Sequence, residues 1–364
     1  MLRIPVHTPS RPYEVVLGSG LLARAGEHVS KLTARGRVFV ITVPPVLRRW
    51  GKVLMQSLAE SGAQADILQM ADGEPFKRLA TLEKLAEGLV KLGADRSAIL
   101  IALGGGVVCD VTGFLASVYM RGLDVIQIPT TVLAQVDAAI GGKTGVNLQS
   151  GKNLLGTFHQ PRAVLIDPNV LTTLPSREYR AGLYEALKCG IIGNVELFRL
   201  FENRRREILD RDPGVIEKVI AESVRLKAQV VSADEREGGL RQVLNLGHTI
   251  GHALEAETRY TQLLHGEAVA WGMIAATQIA LATGRLDPAS AERITSATVS
   301  LGKLPRVKFQ VAGVLKRLQT DKKTRQGVVH LVLPTQIGKV EIVNDVRTSV
   351  VRSAIEEIRK LAVK

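Results

Sequence analysis

Three histidines crowd one short stretch of the chain. His248, His252 and His265 lie within GGLRQVLNLGHTIGHALEAETRYTQLLHGE, residues 238–267, and the whole sequence holds seven. On a helix, positions four apart share one face, so His248 and His252 can aim their imidazoles at one point. His265, with Gly266 and Glu267 beside it, reaches the same point if the chain turns back. Zinc sites with an open position are built from three side chains, histidines alone or with a carboxylate. The competing reading is a helix pair whose histidines are satisfied polar residues. The polar Arg241 and Asn245 nearby favour a metal or catalytic site. Spacing leaves open which of the three would hold the metal.

Other residues suit an anionic ligand. Leu103-Gly104-Gly105-Gly106 closes the apolar run ILIAL and leads into a helix beginning near Val108. Helix N-termini present NH groups with partial positive charge, and glycine lets a phosphate come close. The pattern is neither GxGxxG nor a P-loop, and three glycines can also make a plain tight turn. The strand, turn and helix context favours a dinucleotide. Thr130 and Thr131, after the next strand, could offer hydroxyls to the same cofactor. Asp137, Lys143, Lys152 and Asn153 fall in VDAAIGGKTGVNLQSGKN, where the glycines suggest a loop that wraps a ligand. Lysine is a compact charge suited to phosphate, although such lysines are often plain surface charges. Glu185 and Lys188 in LYEALKCG have a spacing shared by site pairs and surface ion pairs. Lys227 approaches the histidines along the chain, and Lys322 and Lys323 in DKKTRQG form another cationic pair.

The elements that must position these residues change character near Pro175. Before it, YEVVL, RVFVIT, ADILQM, ILIAL, DVIQIP and AVLI read as strands. Helical stretches separate several of them, at 20–34, 47–61 and after Lys77. That rhythm implies a parallel sheet covered by helices. After Pro175 most segments read as helices, interrupted by one possible hairpin, GVVHLVLPTQIGKVEIV. The expectation is an α/β domain over residues 1–175 and a helical domain over 176–364.

Bulk numbers narrow the class. The chain has 364 residues, 46% hydrophobic and 23% charged, ordinary for a globular protein. Two cysteines, Cys109 and Cys189, give no disulfide framework and fit a reducing compartment. The first residues lack a signal-peptide apolar core, and no run of about 18 apolar residues suggests a membrane span. The expected location is the cytoplasm. The net charge of +13 has three readings, of which a plain solvated face suits most individual charges. Nucleic acid is disfavoured, because Arg204, Arg205 and Arg206 sit in a mixed-charge helix without a recognition motif. A field that draws in an anionic small molecule remains.

In order and spacing, DGEPFK, GGGVVCD, MRG, QIPTTVLAQVDAAIGGKTGVN, GKN, GLYEALKCG, GLRQVLNLGHTIGHALE and LLHGEAVAWGM closely resemble the 3-dehydroquinate synthases, within the sugar phosphate cyclases. The resemblance spans nearly the whole chain. It implies a Rossmann-like α/β domain that binds NAD, an all-α C-terminal domain that carries a divalent metal, zinc or cobalt, and substrate between them.

Carried over by position, it makes Glu185, His248 and His265 the metal ligands, and His252 a hydrogen-bonding group near the substrate phosphate. The NAD positions would be Asp72, Gly73, Glu74, Lys77, Gly106, Val107, Asp110, Thr130, Thr131, Lys143, Lys152, Val170, Leu171, Thr172 and Thr173. Substrate contacts would be Asp137, Lys143, Asn153, Lys188, Lys227, Arg241, Asn245, His252 and one of Lys322 and Lys323, with Lys323 preferred. Arg121 would reach the neighbouring subunit's site, which implies a homodimer. Two positions depart from the common pattern: Cys109 where glycine is usual, and Val43 where a polar residue often faces the ribose.

The implied reaction turns 3-deoxy-D-arabino-heptulosonate 7-phosphate into 3-dehydroquinate and phosphate. It runs by transient oxidation, phosphate elimination, re-reduction and an intramolecular aldol, with no net redox change. Another sugar phosphate cyclase and a metal-dependent polyol dehydrogenase of the same fold are the alternatives.

Overall fold

The apolar runs around the glycine turn form the middle of a seven-stranded sheet. The computed structural model describes residues 1–32, 37–320 and 329–363. Within them lie strands β1 (Leu2–Val6), β2 (Tyr13–Leu17), β3 (Val38–Thr42), β4 (Ala65–Gln69), β5 (Ile99–Gly104), β6 (Asp124–Pro129), β7 (Lys143–Leu148), β8 (Gly151–Phe158) and β9 (Ala163–Ile166). The sheet order is β1-β2-β9-β6-β5-β3-β4. Only the β1–β2 pair is antiparallel; the other neighbours run parallel. Every residue of β3 and β5 is buried, as expected of parallel strands covered on both faces.

Helices α1 (Ala25–Leu32), α2 (Pro44–Val46), α3 (Lys52–Glu60), α4 (Leu79–Lys91) and α5 (Gly106–Val118) connect these strands. A π turn at Leu47–Gly51 joins α2 to α3. In α4, Leu85 and Leu89 face inward while Lys84 and Glu87 are exposed, the 3.6-residue stripe of a covering helix. The chain leaves β3 for β4 on one side and returns to pair β5 on the other. That reversal is a topological switch point, and ligands of doubly wound sheets bind outside the strand ends there. Thr42 at the end of β3 is paired with Leu103 at the end of β5.

The second group of helices is α6 (Ser176–Gly193), α7 (Val195–Asn203), α8 (Arg205–Leu209), α9 (Pro213–Ala233), α10 (His248–Glu257), α11 (His265–Ala282), α12 (Pro288–Ser300), α13 (Val311–Thr320) and α14 (Thr348–Val363). The expected hairpin is present as β10 (Leu331–Gln336) and β11 (Lys339–Val343). Helix α11 is apolar on nearly every side and buried along most of its length, so α6, α10, α12, α14 and β10 pack around it.

Two compact units result: Met1–Pro175 with Ile216–Arg236, and Ser176–Val215 with Glu237–Lys364. Sequence reasoning put 216–236 in the second domain because it is helical; most of α9 instead packs with the first. Lys227 donates to Asp137, the His7 amide to Ser232, and Gln160 to Glu235.

Several local expectations are corrected. The helix expected at 20–34 is a 3-10 turn at Leu22–Arg24 leading into α1. Helix α5 starts at Gly106 rather than Val108. The loop expected around Lys143 and Lys152 is the antiparallel hairpin β7–β8. Its glycines serve pairing: Gly145 faces Gly156, and a Cβ on Gly156 would lie 2.0 Å from the Thr144 carbonyl oxygen.

Candidate functional site

In the second unit, α6, α10 and α11 bring one carboxylate and three imidazoles together. Glu185 Oε1 lies 3.6 Å from His248 Nε2 and 3.5 Å from His265 Nε2. The ring of His252 stands 5.3 Å from that of His248 and 5.6 Å from that of His265. Ligand atoms of the three histidines all fall within 4.8 Å of one another.

Local chain geometry explains the convergence. Gly247, at φ +76°, ends the 3-10 turn Leu240–Asn245 and starts α10. A Cβ on Gly272 would lie 1.8 Å from the Gly247 carbonyl oxygen. Helices α10 and α11 therefore touch backbone to backbone. A Cβ on Gly266 would likewise lie 1.8 Å from the Ala181 carbonyl oxygen. Ala181 is one turn before Glu185 and Gly266 follows His265, so this contact sets the carboxylate beside the imidazole.

The donor set has a definite protonation pattern. His248 Nδ1 is 3.2 Å from the Leu246 carbonyl oxygen. A carbonyl only accepts, so Nδ1 carries the proton and Nε2 the lone pair. His265 Nδ1 faces Glu255 Oε2 at 3.2 Å, which gives the same tautomer. Neither Glu185 oxygen receives an aligned hydrogen bond, and both are sealed from solvent. The Lys188 ammonium stands 2.5 Å from Oε2 as a charge partner, with its side chain 2% exposed. It is therefore not the surface pair that its spacing also allowed. Oε1 faces the Nε2 atoms of His248 and His265, one carboxylate oxygen and two imidazole nitrogens turned to a common point. A divalent cation fits it chemically.

Around this cluster Arg241 is buried on its 3-10 turn. Asn245 Nδ2 donates to Glu237 Oε1 over 3.0 Å. Glu237 itself is held at φ 60°.

In the first unit, Gly104, Gly105 and Gly106 close β5 and open α5. None has positive φ, so their role is close approach. Added Cβ atoms would press on Val108, Thr131 and Ala138 at 2.5, 3.1 and 3.2 Å respectively. The first NH groups of the 13-residue α5 face the strand ends with their helix-terminal charge, which suits a dinucleotide phosphate.

Cations and carboxylates lie in the same unit. Lys77, 4% exposed, donates to Asp110 and Asn153. Burial pushes the Asp110 carboxyl up from the ordinary range, and the Lys77 ammonium works against that rise. Asn147 donates to Glu74 over 2.7 Å, and Lys152 lies 3.8 Å from Glu74. Lys227 donates to the Asp137 carbonyl and carboxylate at 2.6 and 2.5 Å.

The remaining predicted residues sit as follows. Asp72, Lys143, Arg121, Asn153 and Thr172 are exposed, Thr130 is buried, and Gly73, Val107, Thr131, Lys152 and Thr173 are half-buried. Val170 and Leu171 are buried in the 3-10 turn Pro168–Thr173, where Trp50 Nε1 donates to Thr173 Oγ1 over 3.1 Å. Lys322 and Lys323 lie outside the described residues. Burial pushes the Cys109 thiol far above its usual range. Its Sγ is 3.8 Å from the Gly104 carbonyl oxygen, so the departure is absorbed in packing. Val43 is buried at 3% exposure and has no polar group for a ribose.

Two carboxylates escaped sequence reasoning. Glu255 stands against His265, and its signal was a spacing of seven from His248, two helical turns on the same face. Asp167 accepts from the amides of Gly20, Leu22 and Asn169 at 3.0, 2.9 and 3.0 Å. It fastens the Pro168–Thr173 turn, and the Asp-Pro pair before a turn was its signal.

Comparison with known proteins joins this geometry to a family. The family described as 3-dehydroquinate synthase N-terminal matches residues 67–181, and the one described as 3-dehydroquinate synthase C-terminal matches 182–324. A 3-dehydroquinate synthase of Koribacter versatilis is 53% identical over 363 residues, covering 100% of this chain and 99% of that one. Among solved structures, the 2-epi-5-epi-valiolone synthase ValA of Streptomyces hygroscopicus, with NAD+ and Zn2+ bound, has a TM-score of 0.88 at 31% identity, covering 96% of this chain and 97% of that one. A 2-deoxy-scyllo-inosose synthase, complexed with carbaglucose-6-phosphate, NAD+ and Co2+, has a TM-score of 0.83 at 27% identity, covering 99% of each chain.

Proposed function

The chain belongs to the 3-dehydroquinate synthase family, and from that premise we propose how its residues share the work. The reaction is conversion of 3-deoxy-D-arabino-heptulosonate 7-phosphate to 3-dehydroquinate and phosphate, with NAD and a divalent cation as cofactors. The observation that carries the assignment of residues is the Glu185 oxygen shared between two imidazole nitrogens.

Glu185, His248 and His265 are the ligands of zinc or cobalt in this reading. His252 is assigned to the substrate phosphate as a hydrogen-bond donor. The glycine turn with Val107, Asp110, Thr130 and Thr131 is assigned to NAD, as are Asp72, Gly73, Glu74, Lys77, Lys143, Lys152 and the turn from Val170 to Thr173. When bound, NAD would supply reversible hydride acceptance and the cation would supply Lewis acidity.

The chain's own groups mostly position and neutralise. Lys188 holds the Glu185 carboxylate in one rotamer and offsets its charge. The Arg241 fork suits the substrate carboxylate. Asn245, fixed by Glu237, offers an amide to a hydroxyl. Lys227 locks Asp137, while Lys143, Asn153 and, by resemblance, Lys323 present polar groups to the substrate. A substrate with phosphate and carboxylate also gives the net charge of +13 its partner.

We assign Arg121 to the neighbouring subunit of a homodimer. In support, Met120 and Arg121 hold left-handed φ of 47° and 69°, and Leu79, Val118 and Met120 expose apolar surface beside them. We place the enzyme in the cytoplasm. No helix among the described residues is long and apolar enough to cross a membrane.

One incubation tests the activity. The protein is mixed with the heptulosonate phosphate, NAD and zinc, and phosphate release and NADH absorbance are followed together. Stoichiometric phosphate without accumulating NADH is expected. NADH rising in step with turnover would mean a polyol dehydrogenase instead.

A further inference from the structure

We infer that Glu255 is a positioning residue for the metal, acting through His265; the inference rests on the ligand assignment proposed above. Glu255 is 2% exposed and lies two turns after His248 on α10. Its Oε2 is 3.2 Å from His265 Nδ1. The main chain of Glu255 is tied to the same place: its carbonyl accepts from the Tyr260 amide at 2.7 Å and from Thr258 Oγ1 at 3.2 Å. The return from α10 to α11 bends there through Arg259 and Tyr260, at φ 54° and 60°. One residue thus fixes both the path of the loop that delivers His265 and the roll of its ring.

The chemistry follows from the contact. The Glu255 carboxylate accepts a hydrogen bond from Nδ1–H, which leaves the Nε2 lone pair toward Glu185. It also pulls the Nδ1–H bond, so Nε2 becomes a stronger donor. Histidine ligands held by a carboxylate in this way lose metal affinity when the carboxylate is removed, by roughly 10- to 100-fold.

The experiment uses full-length wild type, E255A, E255Q and H265A, each stripped with chelator and titrated with Co2+ alone. The readouts are the cobalt d–d absorption spectrum, chelator competition and the unfolding midpoint of the metal-free protein. Wild type should bind one Co2+ per chain. E255A should bind it about 10- to 100-fold more weakly with an altered d–d spectrum. E255Q, whose amide oxygen still accepts from Nδ1, should recover part of that loss. Metal-free midpoints should match wild type. Wild-type affinity and spectrum in both Glu255 variants, with binding lost in H265A, would overturn the inference and leave the ligand assignment standing. A loss of affinity matched by a falling metal-free midpoint would reduce Glu255 to a structural residue and overturn it too. No Co2+ bound by wild type would sink both.

Discussion

Gly266 and Ala181 meet so closely that one Cβ separates a formed site from a broken one. The Cβ that alanine would add at Gly266 lies 1.8 Å from the Ala181 carbonyl oxygen, and backbone cannot swing aside. Gly266→Ala should therefore part α6 from the start of α11, cost about 1–3 kcal/mol and weaken metal binding. Gly214→Ala is the control, since its nearest neighbour would be Asp212 Oδ1 at an ordinary 3.5 Å. Urea melts and metal content read both effects, and equal behaviour of the two variants would refute the account.

His265→Ala should remove metal and turnover together. Metal analysis of the purified variant, alongside phosphate release, checks this. Full metal content with full turnover would show that His265 is not a ligand.

Arg241→Ala should raise KM for the heptulosonate steeply, because a bidentate partner of its carboxylate is gone. Steady-state kinetics at saturating NAD would show it, and Arg241→Lys should rescue only part, since lysine lacks the planar fork. Unchanged kinetics would rule the role out.

Lys77 and Asp110 form a buried pair, their side chains 5% and 19% exposed. Lys77→Met leaves the Asp110 carboxylate without its cation and should cost about 3–5 kcal/mol. The double variant Lys77→Met with Asp110→Leu should cost less than Lys77→Met alone. Denaturant melts of the set provide the check, and simple additivity would argue against a coupled pair.

Tyr184 gives a pH limit. Burial, with Glu267 adding to it, pushes its hydroxyl up to about 12. The unfolded chain loses this proton near the ordinary value of 10, while the folded chain keeps it. Stability is thus fully present below pH 10 and falls as pH rises toward 12, by about 2–3 kcal/mol from this group. Tyr184→Phe should flatten that alkaline decline, read as the unfolding free energy at pH 9 and pH 11.5. An identical slope in the variant would exclude Tyr184 as its source.

Much of this was readable from residues because the signals are local. The apolar runs VFVIT and ILIAL could be little other than buried parallel strands, and the turn after ILIAL was placed by its three glycines. The triad of histidines was visible from spacing, but its carboxylate was not. Glu185 lies 63 positions before His248, and the packing of α6 and α10 on α11 brings them together, so resemblance rather than periodicity named it. The β7–β8 hairpin was hidden because glycines that allow strand backbones to touch look like loop glycines. Glu255 was hidden for another reason: a glutamate near the end of a helix reads as solvent-facing until the chain is seen to double back over it.

The return of residues 216–236 to the first unit has a consequence for biogenesis. Because Lys227, Ser232 and Glu235 hold Asp137, His7 and Ser10, the first unit has no complete set of partners when a ribosome has emitted only its first 175 residues. It must wait until 236 has emerged, with residues 176–215 of the second unit already made. Fragments cut at Pro175 should therefore be poor expression products, and a split version of the enzyme would have to be divided elsewhere.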